Sequence, residues 1–100
     1  MIKHIVMWRL KDTAEGASRD ENARKMKAML LALKDSIAEI KQIEVGMNAL
    51  ASPAAYDVVL YSAFESFDAL QRYQKHPEHE KCKEFIGKIV SDRAVVDYEV

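Results

Sequence analysis

From Ile2 to Leu10 the chain is apolar in both phases of a two-residue repeat: Ile2, His4, Val6, Trp8 and Leu10 fall in one phase, Ile5 and Met7 in the other. Side chains alternate across a strand, so a segment of this kind must be covered on both faces. Whatever fold the chain adopts has to place material above and below that strand. A length of 100 residues gives it one domain, 1–100, and one small core with which to do so, because cores divide only in much longer chains.

The remaining elements follow from changes of period. Lys11 to Ala17 is polar and reads as a loop, and Ser18-Arg19-Asp20-Glu21 offers a capping box in which hydroxyl and carboxylate each satisfy an end amide. A helix should start there. Ala23, Met26, Leu30, Leu33 and Ile37 recur at three- and four-residue steps and form its buried stripe. Between Ile40 and Leu50 the period falls to two, with Ile43, Val45, Met47 and Ala49 against Gln42, Glu44, Gly46 and Asn48. Ser52-Pro53 marks a turn, and Tyr56 to Glu65 is a third strand whose Val58, Val59, Leu60 and Tyr61 again call for cover on both faces.

Ser66 caps a short helix carrying Phe67, Leu70 and Tyr73. That helix must stop near His76, since a residue before proline is pushed out of the α region, and Pro77 suits the first turn of the next helix. The next helix buries Cys82, Ile86 and Ile89 on a stripe that includes His79, with Phe85 and Val90 beside it, until Ser91-Asp92. Ala94 to Val100 is the last strand. This order gives an α+β, ferredoxin-like split β-α-β protomer, a four-stranded antiparallel sheet with helices on one face. Ile5, Met7, Val59, Tyr61 and Val95 are then expected on the uncovered face. A second copy, sheet against sheet, is the simplest cover, and the expected assembly is a homodimer.

Composition removes several functional classes. Fifteen basic against sixteen acidic residues leave a net charge of -1 with no basic patch, so no nucleic-acid partner is expected. The single cysteine, Cys82, excludes an internal disulfide and a cysteine-based zinc site, and fits a reducing cytoplasm. The apolar start is too short to span a membrane and lacks a signal peptide's cleavage region, so no membrane partner is expected. No phosphate-binding glycine loop, nucleophile elbow or H-E-x-x-H motif is present, and no cofactor is implied. His76, His79 and Cys82 form a poor metal set, because Pro77 interrupts their register and no carboxylate is placed as a further ligand.

The residues able to do chemistry are His4, Tyr73 and His79. The break at Pro77 can aim Tyr73, from the end of one helix, and His79, from the start of the next, at the space between helices and sheet. His4 faces the same space from the first strand. Two imidazoles and a phenol in an apolar hollow suit proton abstraction next to a carbonyl, with histidine as base and the phenol hydrogen-bonding the developing oxyanion. The same groups could equally cement a helix junction, the commoner role of a half-buried histidine beside a helix start.

Taken together, His4-Ile5-Val6-Met7-Trp8-Arg9-Leu10-Lys11, Tyr56 with the strand into Phe64-Glu65-Ser66, His76-Pro77-Glu78-His79 and Val95-Val96-Asp97-Tyr98-Glu99 resemble the stress-responsive A/B barrel (Dabb) family of dimeric α+β barrels. The resemblance runs over residues 2 to 100. It implies a homodimer whose two sheets share a barrel. It is similar, too, to a plant polyketide cyclase of that family, which closes a linear tetraketide acid by aldol condensation without a cofactor. That likeness implies catalytic roles for Tyr73 and His79 and a pocket position for His4. Val58 stands where the cyclase has a further histidine, and Met26 and Leu30 where its first helix is aromatic.

The expected ligand-contacting set is therefore His4, Val6, Trp8, Met26, Leu30, Val58 and Leu60. The first reading is a homodimer that binds a small hydrophobic or aromatic carbonyl compound, with cofactor-independent cyclase- or isomerase-like chemistry. The alternatives are a non-catalytic stress-response or interaction domain and, on the related barrel fold, a monooxygenase.

Overall fold

A computed structural model describes all 100 residues. In chain order the elements are β1 (Ile2–Leu10), β2 (Thr13–Ala14), β3 (Ala17–Ser18), α1 (Arg19–Ser36), β4 (Gln42–Met47), β5 (Val58–Phe64), α2 (Phe67–Lys75), α3 (Pro77–Ile89) and β6 (Val90–Glu99). The main sheet has the order β4-β5-β1-β6 and is antiparallel throughout. This is the ferredoxin-like arrangement expected from the periodicity. No helix is long and apolar enough to cross a membrane.

Strand β1 is central and alternates strictly, with Ile2, His4, Val6, Trp8 and Leu10 buried and the intervening residues partly exposed. Its buried phase meets the helices, and Val58, Leu60 and Ser62 of β5 pair with Trp8, Val6 and His4 on that same face. The core gathers there, joining these strands to Met26, Leu30 and Leu33 of α1, Leu70 and Tyr73 of α2, and Cys82, Ile86 and Ile89 of α3. Helix α1 begins where the capping box predicts: Ser18 accepts from the Glu21 amide while Glu21 accepts from the Ser18 amide.

Several expectations are corrected. The segment Lys11 to Ala17 is not a plain loop, because β2 and β3 form a small hairpin. Its two turn residues, Glu15 and Gly16, both have positive φ, the backbone required by a tight two-residue hairpin turn. Asn22 then ties α1 to this hairpin by donating to the Ala14 carbonyl at 3.0 Å. Phe67 is not part of the α2 stripe. It occupies the first helical position and is half exposed, and Ala69 is buried beside Leu70 and Tyr73 instead.

The last strand also starts earlier than Ala94. Val90 caps α3 in extended conformation, so helix passes directly into strand without an intervening turn. A register shift opposite Arg9 and Leu10 absorbs one residue. Beyond it, Val95 pairs with Val6 and Val96 with Ile5. Val95 therefore lies on the helix-side face, contrary to expectation, and Val96 takes its place on the other. That outer face carries Ile5, Met7, Val59, Tyr61, Val96 and Tyr98, of which Val59, Val96 and Tyr98 are 37%, 58% and 43% exposed.

Candidate functional site

The break between α2 and α3 determines the site. Pro77 occupies the first turn of α3, and His76 between the helices is extended, with φ -64° and ψ 138°. In an uninterrupted helix the amide of residue 78 would donate to the Gln74 carbonyl. Here the Glu78 amide donates instead to His76 Nδ1 at 3.1 Å, and the side chain of His76 is thereby the cap of α3. The Gln74 carbonyl, released from the helix, lies 3.1 Å from His79 Nδ1. A carbonyl can only accept, so Nδ1 carries the proton and Nε2 is left with a lone pair.

Tyr73 sits one helical turn before the break and is fully buried. Its ring centroid is 4.6 Å from that of His79, 6.2 Å from His4 and 4.9 Å from Phe64. The phenol thus stands between the two imidazoles. Its hydroxyl has no hydrogen-bond partner within the chain. Burial pushes its pKa well above the usual phenol value, which keeps the O–H intact as a donor across the working pH range. Burial acts on His79 in the opposite sense and lowers its pKa below 6.5, so near neutrality the ring is uncharged and its Nε2 basic.

His4 reaches the same place from β1. Its Nδ1 bonds the carboxylate of Asp97, the residue directly opposite it on β6. The carboxylate accepts, which fixes the proton on Nδ1 and frees the other ring nitrogen. Asp97 was not foreseen. The signal available was a lone acid in the apolar run Val95-Val96-Asp97-Tyr98, but its partner emerges only with the register of β6 on β1.

A cavity of about 520 Å³ adjoins these three rings. Its apolar walls come from Val6, Trp8 and Leu60 of the sheet, Leu30 of α1 and Ile86 of α3, and Cys82 lines it as well. Burial raises the Cys82 thiol pKa, and its Sγ faces the Met29 carbonyl at 3.7 Å, so near neutrality it stays a protonated thiol packed against α1. Of the residues expected to contact a ligand, Met26 and Val58 do not line the cavity. Met26 is completely enclosed where α1 meets the sheet, and Leu30, one turn on, reaches the hollow in its place; Val58 is likewise sealed in core packing beside Trp8. Gln74, Lys83, Gly87 and Arg93 also contribute to the cavity wall, unforeseen because none of them falls in an apolar stripe.

Two expected results arise from this geometry. The unfolded chain takes up a proton on His79 near pH 6.5 and the folded protein only at lower pH, so between those values the unfolded state binds more protons. The corresponding stability is complete above about pH 6.5 and is lost as the pH falls through the folded value. Urea midpoints measured down a pH series should decline in that window, and His79→Gln should make the decline shallower. At Gly87, inside α3, an added Cβ would meet nothing within 4 Å. Gly87→Ala should therefore raise stability by about 0.5–1 kcal/mol, read as a higher urea midpoint.

A family model described as the stress responsive A/B barrel domain matches residues 2–100. An uncharacterised protein of Streptomyces coelicolor is 34% identical over 98 residues, spanning 92% of this chain and 97% of that protein. A stress-response A/B barrel domain-containing protein of Arabidopsis thaliana is 30% identical over 99 residues, 98% of this chain but only 36% of the plant protein. Among solved structures, a protein of unknown function from Bacteroides fragilis, described as dimeric with a ferredoxin-like fold, superposes with a TM-score of 0.83 at 31% identity. The match covers 99% of this chain and 95% of that one.

Proposed function

The chain belongs to the stress responsive A/B barrel domain family, and on that premise we propose that it is a homodimer whose protomers each bind one small hydrophobic or aromatic carbonyl compound and act on it by cofactor-independent acid–base chemistry. The observation that carries this reading is the Tyr73 hydroxyl, buried without a partner beside an imidazole whose tautomer is fixed. A buried hydroxyl left unpaired costs stability, and a ligand oxygen accepting from it removes that cost. A volume of about 520 Å³ falls within the range of roughly 300–1,000 Å³ found for small-molecule pockets.

In the proposed reaction the carbonyl oxygen of the ligand accepts from the Tyr73 O–H. His79 Nε2 removes a proton from the adjacent carbon, and the C–H electron pair becomes the C=C bond of an enolate whose charge rests on the oxygen held by Tyr73. Reprotonation gives isomerisation, and attack of the enolate carbon on a second carbonyl within the same molecule gives ring closure. The Asp97-held imidazole of His4, on the far side of the phenol, orients the bound compound. Dimerisation is supported by the apolar outer face of the sheet and by the dimeric description of the Bacteroides fragilis protein.

Thermal denaturation in the presence of aryl ketones and polyketide-like compounds tests the binding half of the reading. A compound that occupies the cavity raises the melting temperature of the native protein, and His79→Ala abolishes the rise while leaving a folded dimer. If no such compound raises the melting temperature, and His79→Ala simply lowers stability, the histidine is structural and the domain is non-catalytic.

A further inference from the structure

Leu50 is 82% exposed, more than any other large apolar side chain of the protein. The loop that carries it, residues 48–57 between β4 and β5, is nevertheless a built one. The Asn48 amide donates to the Asp57 carbonyl at 2.8 Å and closes its base, and the Asn48 side-chain amide donates to the Leu50 carbonyl at 2.9 Å. Beyond Leu50 a turn with Pro53 at its second position is held by the Ala55 amide on the Ser52 carbonyl at 3.1 Å. A backbone tied in this way holds a leucine out in water, where its own chain gives it no cover.

Beside the same loop lies an apolar hollow of about 470 Å³. Met7, Val59 and Gly46 form its floor, neighbours in one row across β1, β5 and β4 on the outer face of the sheet. Gly46 keeps that floor open, since a Cβ there would stand 3.2 Å from Val59 Cγ1. Ala54, Ala55 and Tyr56 of the loop complete the wall, and the Tyr56 ring is propped by Arg9, whose guanidinium carbon lies 4.3 Å from the ring centroid. The one charged residue of the lining, Asp57, has its carboxylate engaged by the Leu10 amide at 2.7 Å. Leu50 does not line its own hollow.

From these two features we propose that Leu50 of each copy inserts into the hollow of the other, a reciprocal knob and socket at the margin of the sheet-to-sheet dimer. The proposal rests on that dimer and adds what fixes the rotation of one copy on the other. A two-fold interface uses the same patch on both sides, so a projecting group and a socket on one chain are matched twice. The socket is continuous with the expected interface, because Met7 and Val59 belong both to it and to the apolar patch that carries Ile5 and Val96. A knob already held by its loop loses little freedom on docking.

The test uses Leu50→Ala and a double variant, Leu50→Cys with Val59→Cys, with folding checked by circular dichroism. The native thiol, Cys82, is buried and does not compete. Sedimentation velocity on Leu50→Ala should show a dimer weakened by about 100-fold, because two leucines lose their cover at once. The double variant, oxidised in air with a copper catalyst at high protein concentration, should run as linked pairs of chains on a non-reducing gel, and Leu50→Cys alone should not. A native dimer that Leu50→Ala leaves equally tight overturns the knob and leaves the sheet interface standing. Linkage within a single chain means that the loop folds onto its own hollow, and linkage by Leu50→Cys alone means that the two leucines meet each other; either result overturns the socket, as does a double variant that stays dimeric and unlinked. A monomeric native protein overturns the knob and the dimer together.

Discussion

Tyr73→Phe should separate folding from chemistry in opposite directions. The phenyl ring keeps the contacts that Tyr73 makes with Phe64, His79 and His4 at centroid distances of 4.9, 4.6 and 6.2 Å. What is lost is a hydroxyl that has no partner within the chain. An unpaired buried hydroxyl costs about 1–3 kcal/mol, and cavity water recovers part of that, so the variant should match the native protein or exceed it by up to about 1 kcal/mol. Turnover of a bound carbonyl compound should meanwhile fall by about 100-fold or more, the usual loss when an oxyanion donor is removed. Urea denaturation and exchange of the substrate's α-proton with solvent deuterium, followed by NMR, read the two quantities separately. A variant that loses stability and keeps full exchange activity would make Tyr73 a packing residue.

The second large effect is expected at the other face of the sheet. Val96 is 58% exposed within the protomer and pairs with Ile5 in an apolar patch that includes Val59 and Tyr98. In a two-fold interface every substitution occurs twice, so Val96→Asp places a carboxylate on each side of a surface that should be dry. An unpaired buried charge in such an interface costs about 3 kcal/mol, which weakens the dimer by about 100-fold or more. Sedimentation velocity should show monomers at concentrations where the native protein is dimeric. Leu31→Asp is the control, because Leu31 is 38% exposed on α1, on the helix side of the sheet, and should leave the dimer intact. A native protein that is itself monomeric at micromolar concentration would mean that the sheet face is not the interface.

How much of this was visible in the sequence depended on whether a feature was local. The alternation of β1, the capping box at Ser18 and the proline break after His76 are each encoded within a few residues, and each stands where the periodicity placed it. Val95 and Val96 could not be assigned the same way. Both are apolar, so alternation does not rank them, and a shift of one residue sends every side chain of a strand to the opposite face. The deciding feature was the register shift near Arg9 and Leu10, which depends on pairing between the two ends of the chain. Asp97 escaped for the same reason. The hairpin of β2 and β3 has strands of two residues each, too short to show any period.

The cavity was legible by face but not by depth. His4, Val6, Trp8, Leu30, Leu60, Tyr73 and His79 all line it, whereas Met26 and Val58 share the correct face and are packed too deeply to reach it. Hydropathy ranks side chains by preference for burial and carries no information on which buried side chain borders empty space.

Gln74 enters the site in two ways. Its main-chain oxygen fixes the protonated nitrogen of His79, and the residue lines the cavity. Every amino acid supplies the same main-chain oxygen, so exchanging the side chain at position 74 leaves the proton of His79 on the same nitrogen. On the proposed acid–base reading, the outline of the hollow and the basicity of the ring can therefore change separately.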